Sequence, residues 1–413
     1  MDDERNWFAG IDWGSQKHRV WLADGEGRKL GSRDFDHDGS GLAAMAEWIL
    51  ELAGARPDQV HIAIEVPHGP VVESLMGRGF NLHAINPKQL DRFRDRFSPA
   101  GAKDDSRDSE VLASALRTDP HGLRPLAPLD PAVIELREHS RIAEDLTRER
   151  TRLANRLREQ LWRYYPQMLE LADDLAAPWL LELWRLAPTP RAARRLREET
   201  VARLLKRHRI RRLDAAGVLE RLRQREIDVA AGTAEAAGVH IKALAPRLAL
   251  VNRQLAQAHR QLDRLTAELA EGAPGQPAEQ RDATILASLP GIGRIVLATL
   301  LAEAFDPLRR RDYHALRTLC GVAPVTKRSG KSKIVIRRLA AHVRLANAVY
   351  HWARTAVQHD PVSRAKYAAL RARGHGHARA LRSVADRLLA VACAMLETQT
   401  FFDPQHRRNA HAA

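Results

Sequence analysis

Apolar and polar positions follow two different rhythms along this chain. Between residue 7 and about residue 117, short apolar runs of strand length are interleaved with stretches of helical spacing, the signature of an α/β domain. Residues 7–13 predict a first strand. Residues 19–23 and 29–35 predict two more, separated by the turn-forming Asp24-Gly25-Glu26-Gly27, so three antiparallel strands joined by tight turns are expected. An amphipathic helix is then predicted over 41–53, a buried strand over 60–66, a helix over 71–77, a strand over 82–85 and a helix over 104–116. The predicted order is βββαβαβα.

The second rhythm begins after the proline-punctuated linker 124–130. Over 131–165 the apolar residues Ile142, Leu146, Leu153, Leu157 and Leu161 recur at helical spacing with arginines between them, predicting one long helix. Ile241, Leu244, Leu248, Val251, Leu255, Ala258, Leu262, Leu265 and Leu269 step by threes and fours, a coiled-coil seam. The two helices are expected to pair, within one chain or across an oligomer, since the seam does not encode its partner. Residues 271–280 form a Gly/Pro/Gln linker, and Leu289-Pro290-Gly291-Ile292-Gly293 resembles the hairpin of helix-hairpin-helix DNA-binding modules. There glycines let backbone N–H groups approach a phosphate, which makes Gly291 and Gly293 candidate nucleic-acid contacts. The bland reading is an ordinary helix start after a turn. The expected domains are 1–123, a helical coiled-coil region 124–280, a mostly helical domain 281–398 and a disordered tail 399–413.

Composition narrows the partners. Among 413 residues, 66 Lys and Arg against 51 Asp and Glu give a net charge of +15, and a pI near 10.4 points to a polyanion. Two cysteines, Cys320 and Cys393, exclude a disulfide framework and a four-cysteine zinc site. No signal peptide and no apolar stretch of about 18 residues is evident, so a cytoplasmic protein that does not engage a membrane is expected.

The carboxylates carry the chemistry. Asp12 closes an apolar strand in Ile11-Asp12-Trp13-Gly14-Ser15, and Glu65 closes the next buried one. Ionised groups there are costly unless paired or metal-bound. Asp104, Asp105 and Asp108 open a helix, where capping alone would explain an Asp in the first turn. Capping does not explain Asp12 or Glu65. Four acids converging on one site would repel one another and call for divalent cations, Mg²⁺ first and Mn²⁺ as its substitute, as in RNase H-like nucleases.

Asp12, Glu65, the run Lys103-Asp104-Asp105-Ser106-Arg107-Asp108, and the distal Gly321-Val322-Ala323-Pro324 with Ser329-Gly330-Lys331-Ser332 resemble the DEDD insertion-sequence transposases. Their N-terminal domain is similar to the RuvC Holliday-junction resolvases. The resemblance spans nearly the whole chain. It implies a multidomain α/β plus α protein: an RNase H-like (RuvC-like) catalytic domain, a long coiled coil and a C-terminal transposase domain. The family's paired acids stand three apart, which selects Asp105 and Asp108 and leaves Asp104 as a cap or auxiliary. Together with Asp12 and Glu65 these are the implied catalytic and metal-binding residues. A serine before a glycine is the family's nucleophile and maps to Ser329, with Ser332 the fallback. Lys327, Arg328, Lys331 and Lys333 would supply cations to the nucleic acid, as would Arg148 and Arg152 on the long basic helix. The implied partners are donor and target DNA, a structured noncoding guide RNA, and further copies of the chain in a dimer or tetramer through the coiled coil. The chain departs from the pattern after the serine: where relatives carry a Lys-Arg-Gly segment, it has Ile336-Arg337-Arg338-Leu339-Ala340-Ala341-His342.

Rival readings are weaker. Asp12-Trp13-Gly14-Ser15 also resembles the phosphate loop of actin-like ATPases and sugar kinases, but no second glycine-rich nucleotide loop follows. A stand-alone junction resolvase has no use for residues 282–396, and a non-catalytic basic coiled-coil binder has none for an intact acid set.

Overall fold

The computed structural model describes residues 6–96, 105–127, 130–271, 279–330 and 332–404, without the side chains of residues 105, 106, 279 and 280. The chain divides into two compact units, Met1–Leu129 and Asp130–Ala413.

In the first unit, β1 (Trp7–Asp12), β2 (Lys17–Ala23), β3 (Lys29–Asp36), β4 (Val60–Ile64), β5 (Asn81–Ala84) and β6 (Arg124–Pro125) form one sheet in the order β3-β2-β1-β4-β5-β6. The first three strands are the expected antiparallel meander. Strands β1, β4 and β5 run parallel, so the chain must cross over between them, through α1 (Gly39–Ala53) and α2 (Pro70–Gly77). The period-2 alternation sorts side chains onto two faces. Ala9, Ile11, Val20, Leu22, Ile62 and Ile64 pack with Met45, Ile49 and Leu75 of α1 and α2. Phe8 and Ala63 face the other way, toward Leu90, Val111, Leu112 and Leu116 of α3 (Pro87–Arg94) and α4 (Asp105–Thr118).

Two elements go beyond the predicted order. The strand β6 is two residues long, too short for any pattern to announce. Helix α3 does carry a start signal, a capping box in which Asn86 accepts from the Lys88 N–H and Gln89 caps the Asn86 N–H, with Pro87 in the first turn. Its charged sequence conceals it, because only Leu90 is buried.

Among the described residues, the second unit is helical apart from one hairpin. Its spine is α5 (Pro131–Tyr164) against α10 (Thr233–Glu271). The short helices α6 (Pro178–Leu186), α7 (Pro190–Arg194), α8 (Glu198–Arg207) and α9 (Ala215–Leu222) enclose one end in a core containing Leu157, Trp184, Ile241, Leu244 and Leu248. The other end shares a second core with α11 (Glu279–Ala287), α12 (Arg294–Glu303), α13 (Phe305–Arg309), α14 (Tyr313–Leu319), α15 (Val343–His359), α16 (Pro361–Ala372) and α17 (His377–Thr398). Segments 124–280 and 281–398 thus meet in a common core, in which Leu262, Leu265 and Leu269 join Ile285, Trp352 and Leu389.

This arrangement corrects one expectation. The seam Ile241, Leu244, Leu248, Val251, Ala258, Leu262, Leu265 and Leu269 is buried within the chain, and Leu255 is half-buried against the same core. The apolar stripe is therefore satisfied without a second copy, and it supplies no argument for a dimer or tetramer. The expected tail is also tied down at its start, where the Phe402 N–H donates to Ser288 Oγ at 2.9 Å; residues 405–413 lie outside the described residues.

Candidate functional site

Asp12 is the last residue of β1 and Glu65 follows the last residue of β4, both half-buried. In the parallel register Ile11 stands beside Ile64, so the two acids are neighbours at the carboxyl ends of adjacent central strands. By alternation both belong to the face that carries Gly10 and Ala63, the face covered by α4. Gly10 is what lets that helix come so close. A Cβ there would stand 1.9 Å from the Ser109 carbonyl oxygen, 2.6 Å from the Ala113 nitrogen and 2.7 Å from the Leu112 Cβ. Helix α4 therefore lies directly on β1, with Asp108 one residue before that contact. The structure brings Asp12, Glu65 and Asp108 to one face of one sheet. Asp104 lies outside the described residues, as does the Asp105 side chain.

Asp108 is only 2% exposed, and its carboxylate is held by a residue that the sequence reading missed. Arg94, at the end of α3, donates from Nε to Oδ1 at 2.6 Å and from Nη2 to Oδ2 at 2.8 Å, the paired geometry in which a guanidinium matches a carboxylate. Its Nη1 donates to Asp91 at 2.5 Å. Burial works against the Arg94 charge, but the hydrogen bonds and charge of Asp108, with the negative charges of Asp91 and Glu65, raise its pKa above the ordinary arginine value. The signal that could have exposed Arg94 is the capping box that starts its helix.

The donor set suits a hard divalent cation: it is all carboxylate, and it already draws a cationic side chain into its midst. Among the described residues, no three His, Cys, Asp or Glu side chains are grouped to share one ion, and both oxygens of Asp108 are engaged by Arg94.

Next to Asp12, the loop is fastened by His18 of β2. The Gly14 N–H donates to His18 Nδ1 at 3.4 Å, which places the ring proton on Nε2, facing His37 Nδ1 at 2.8 Å. Burial, and next the neighbouring His37, lower the His18 pKa.

The remaining residues belong to the second unit. Strands β7 (Val325–Ser329) and β8 (Ser332–Ile336) form an exposed hairpin, with Ser329 opposite Ser332 across the turn and Gly330 at φ +55°. The two hydroxyls therefore share a face at the tip. Lys327, Arg328 and Lys333 are exposed on the same ribbon, while Lys331 lies outside the described residues. Arg328 stands directly opposite Lys333, a like-charge pairing that disfavours the isolated ribbon and favours an anionic partner. On α5, Arg148 pairs with Glu144 and Asp145, and Arg152 is exposed. Gly291 proves to be a packing residue: at φ +78°, its added Cβ would stand 2.7 Å from the Ala356 nitrogen of α15. Trp352 Nε1 donates to the Pro290 carbonyl at 2.9 Å, fastening the same turn. Gly293 caps α12, is exposed, and has open space where a Cβ would go.

Comparison with known proteins places these features. Residues 9–166 match a DEDD transposase model of the IS110 group, described as a transposase, and residues 283–368 match the transposase model of the IS116/IS110/IS902 family. The chain is 65% identical over 216 residues to a candidate transposase of Sinorhizobium fredii, a match covering 52% of this chain and 60% of that relative. It is 33% identical over 421 residues to the mini-circle candidate transposase for IS117 of Streptomyces coelicolor, covering 98% of this chain and 97% of the relative. It is 31% identical over 408 residues to an uncharacterized 43.6 kDa protein of the insertion element IS110 from the same organism, covering 96% and 95%.

Proposed function

Since the chain belongs to the IS110/IS116/IS902 family of DEDD insertion-sequence transposases, we propose that it cleaves and exchanges DNA strands with an RNase H-like acid site in its first unit and a serine nucleophile in its second. One observation carries this reading. Asp12 and Glu65 close adjacent parallel strands on the face where α4 presents Asp108. That is the placement a nuclease of this kind needs. The sheet supports it, with an antiparallel meander leading into parallel strands and helices on both faces.

In this reading residues 1–123 are the catalytic domain, 124–280 the coiled-coil region and 281–398 the transposase domain, acting on donor and target DNA in the cytoplasm. Mg²⁺, replaceable by Mn²⁺, would be held by Asp12, Glu65, Asp105 and Asp108, and would supply charge neutralisation at the scissile phosphate. Oxygen donors at the strand ends would orient the cation, and without it Arg94 offsets the charge of Asp108. Ser329, at the tip of an exposed hairpin, reaches a backbone phosphate without displacing any packed element. Its Oγ bonds to phosphorus, the phosphorus–oxygen bond to the departing strand breaks, and the serine proton ends on the departing hydroxyl. One phosphodiester replaces another, so the strands can be rejoined without ATP. Lys327, Arg328 and Lys333 neutralise the backbone there, Lys331 completes the run, and Arg148, Arg152 and the Gly293 turn offer further phosphate contacts. Gly291 acts by holding that turn against α15. A structured guide RNA is a fitting partner for so basic a surface, and oligomerisation would have to use a surface other than the buried seam.

The test is direct. Asp12→Ala and Asp108→Ala should abolish strand cleavage while retaining nucleic acid, and EDTA should reproduce the effect on wild type. A covalent protein–DNA adduct should form with wild type and Ser332→Ala and vanish in Ser329→Ala. Full cleavage by either acid variant overturns the site, and an adduct that survives Ser329→Ala overturns the nucleophile.

A further inference from the structure

The acid site has an electrostatic problem to solve before any cation arrives. Asp108 is buried, and an uncompensated carboxylate there would be strongly destabilising, as removing one partner of a buried pair is. Arg94 solves it. Both carboxylate oxygens of Asp108 are bonded, Asp91 accepts from the same guanidinium, and Glu65 contributes negative potential. The guanidinium thus takes up the charge-balancing role that the family's chemistry assigns to a divalent ion. It comes from the last position of α3, a helix whose buried residue is Leu90, and it belongs to no strand of the sheet.

We propose that Arg94 is a positioning residue that stands in for the cation: it holds Asp108 in place in the metal-free protein and is displaced from that carboxylate when metal binds. The proposal rests on the assignment of Asp12, Glu65 and Asp108 to the metal site. Two consequences follow from the geometry. Asp108 keeps its orientation in the metal-free protein because the clamp makes two parallel bonds, which fix direction as well as charge. Metal affinity is correspondingly moderated, since each binding event must break a buried, charge-assisted pair.

The experiment uses the full chain and Mn²⁺, with binding read by titration calorimetry and paramagnetic resonance, and melting temperature measured with and without the ion. Arg94→Gln should melt lower than wild type without metal, bind Mn²⁺ about tenfold more tightly, and regain most of the lost melting temperature at saturation. Arg94→Lys keeps the charge but not the two-bond fork, and should fall between the two; it also serves if Arg94→Gln fails to fold. A purely structural arginine would lower the melting temperature at every Mn²⁺ concentration and leave affinity unchanged or weaker. That result overturns the proposal. Asp12→Asn separates the two layers of the argument: if it abolishes Mn²⁺ binding while Arg94→Gln binds as wild type does, the stand-in role is wrong and the site stands. If Asp12→Asn binds Mn²⁺ like wild type, the site assignment fails and the proposal falls with it.

Discussion

Gly10→Ala adds one methyl group where β1 meets α4, and it should be far more disruptive than its size suggests. The new carbon would sit 1.9 Å from the Ser109 carbonyl oxygen and 2.6 Å from the Ala113 nitrogen, where ordinary contact begins at 3.4 Å. The obstructing atoms are mostly helix backbone, so no side chain can rotate aside; relief requires α4 to move off the strand by about 1.5 Å. Overpacking of this kind costs roughly 1–3 kcal/mol, and the backbone contacts place Gly10→Ala at the upper end. Asp108 travels with the helix, away from Asp12 and Glu65. Displacements of about 1 Å at a reacting centre can lower rates by roughly 100-fold. Urea denaturation followed by circular dichroism should show the lost stability, and a strand-cleavage assay on the same preparation the lost rate. Gly77→Ala is the control, because nothing lies within 4 Å of its added Cβ; there a modest gain of about 0.5–1 kcal/mol is expected from reduced chain entropy. If Gly10→Ala matches wild type in both midpoint and cleavage, close approach of α4 to β1 does not hold the site together.

Two further predictions test the second unit and the Asp12 loop. Leu248→Asp with Leu255→Asp should lose cooperative unfolding and helical signal rather than yield a folded smaller species in sedimentation. A carboxylate at fully buried Leu248 costs about 4 kcal/mol or more, and a cleanly dissociated, folded monomer would show that the seam joins separate chains after all. His18, whose folded-state pKa is depressed, lends stability that is complete above its unfolded value of 6.5 and is lost as pH falls through the folded value. Wild-type urea midpoints should therefore drop from about pH 7.5 to 5.5, and His18→Gln should show a shallower drop, not a flat one, because burial also lowers the pKa of His61 and, with His61 adding its charge, that of His83. An unchanged slope in His18→Gln would refute its part.

Local pattern was enough for much of this protein. Short apolar runs and a turn-forming segment over 7–35 announced the antiparallel meander, because strands joined by tight turns are neighbours in sequence as well as in space. Helical periodicity announced both long helices of the second unit, α5 and α10. Asp12 and Glu65 stood out because a charge closing an apolar strand demands an explanation that neighbouring residues do not give. What the pattern could not express is which surfaces meet. The Ile241–Leu269 stripe reads the same whether its partner is another chain or, as here, α5 and the helices enclosing its two ends. Gly291 and Gly10 both look like turn or strand glycines, yet each is required by a helix that returns from elsewhere in the chain, α15 for one and α4 for the other. Arg94 is one arginine among many until folding places it 14 residues from Asp108 along the chain and 2.6 Å from it in space. Periodicity reports how much apolar surface an element must bury, a property of the segment alone. The identity of the surface that buries it, and of the charge that compensates a buried acid, depends on contacts between distant segments, and those exist only once the tertiary structure has formed.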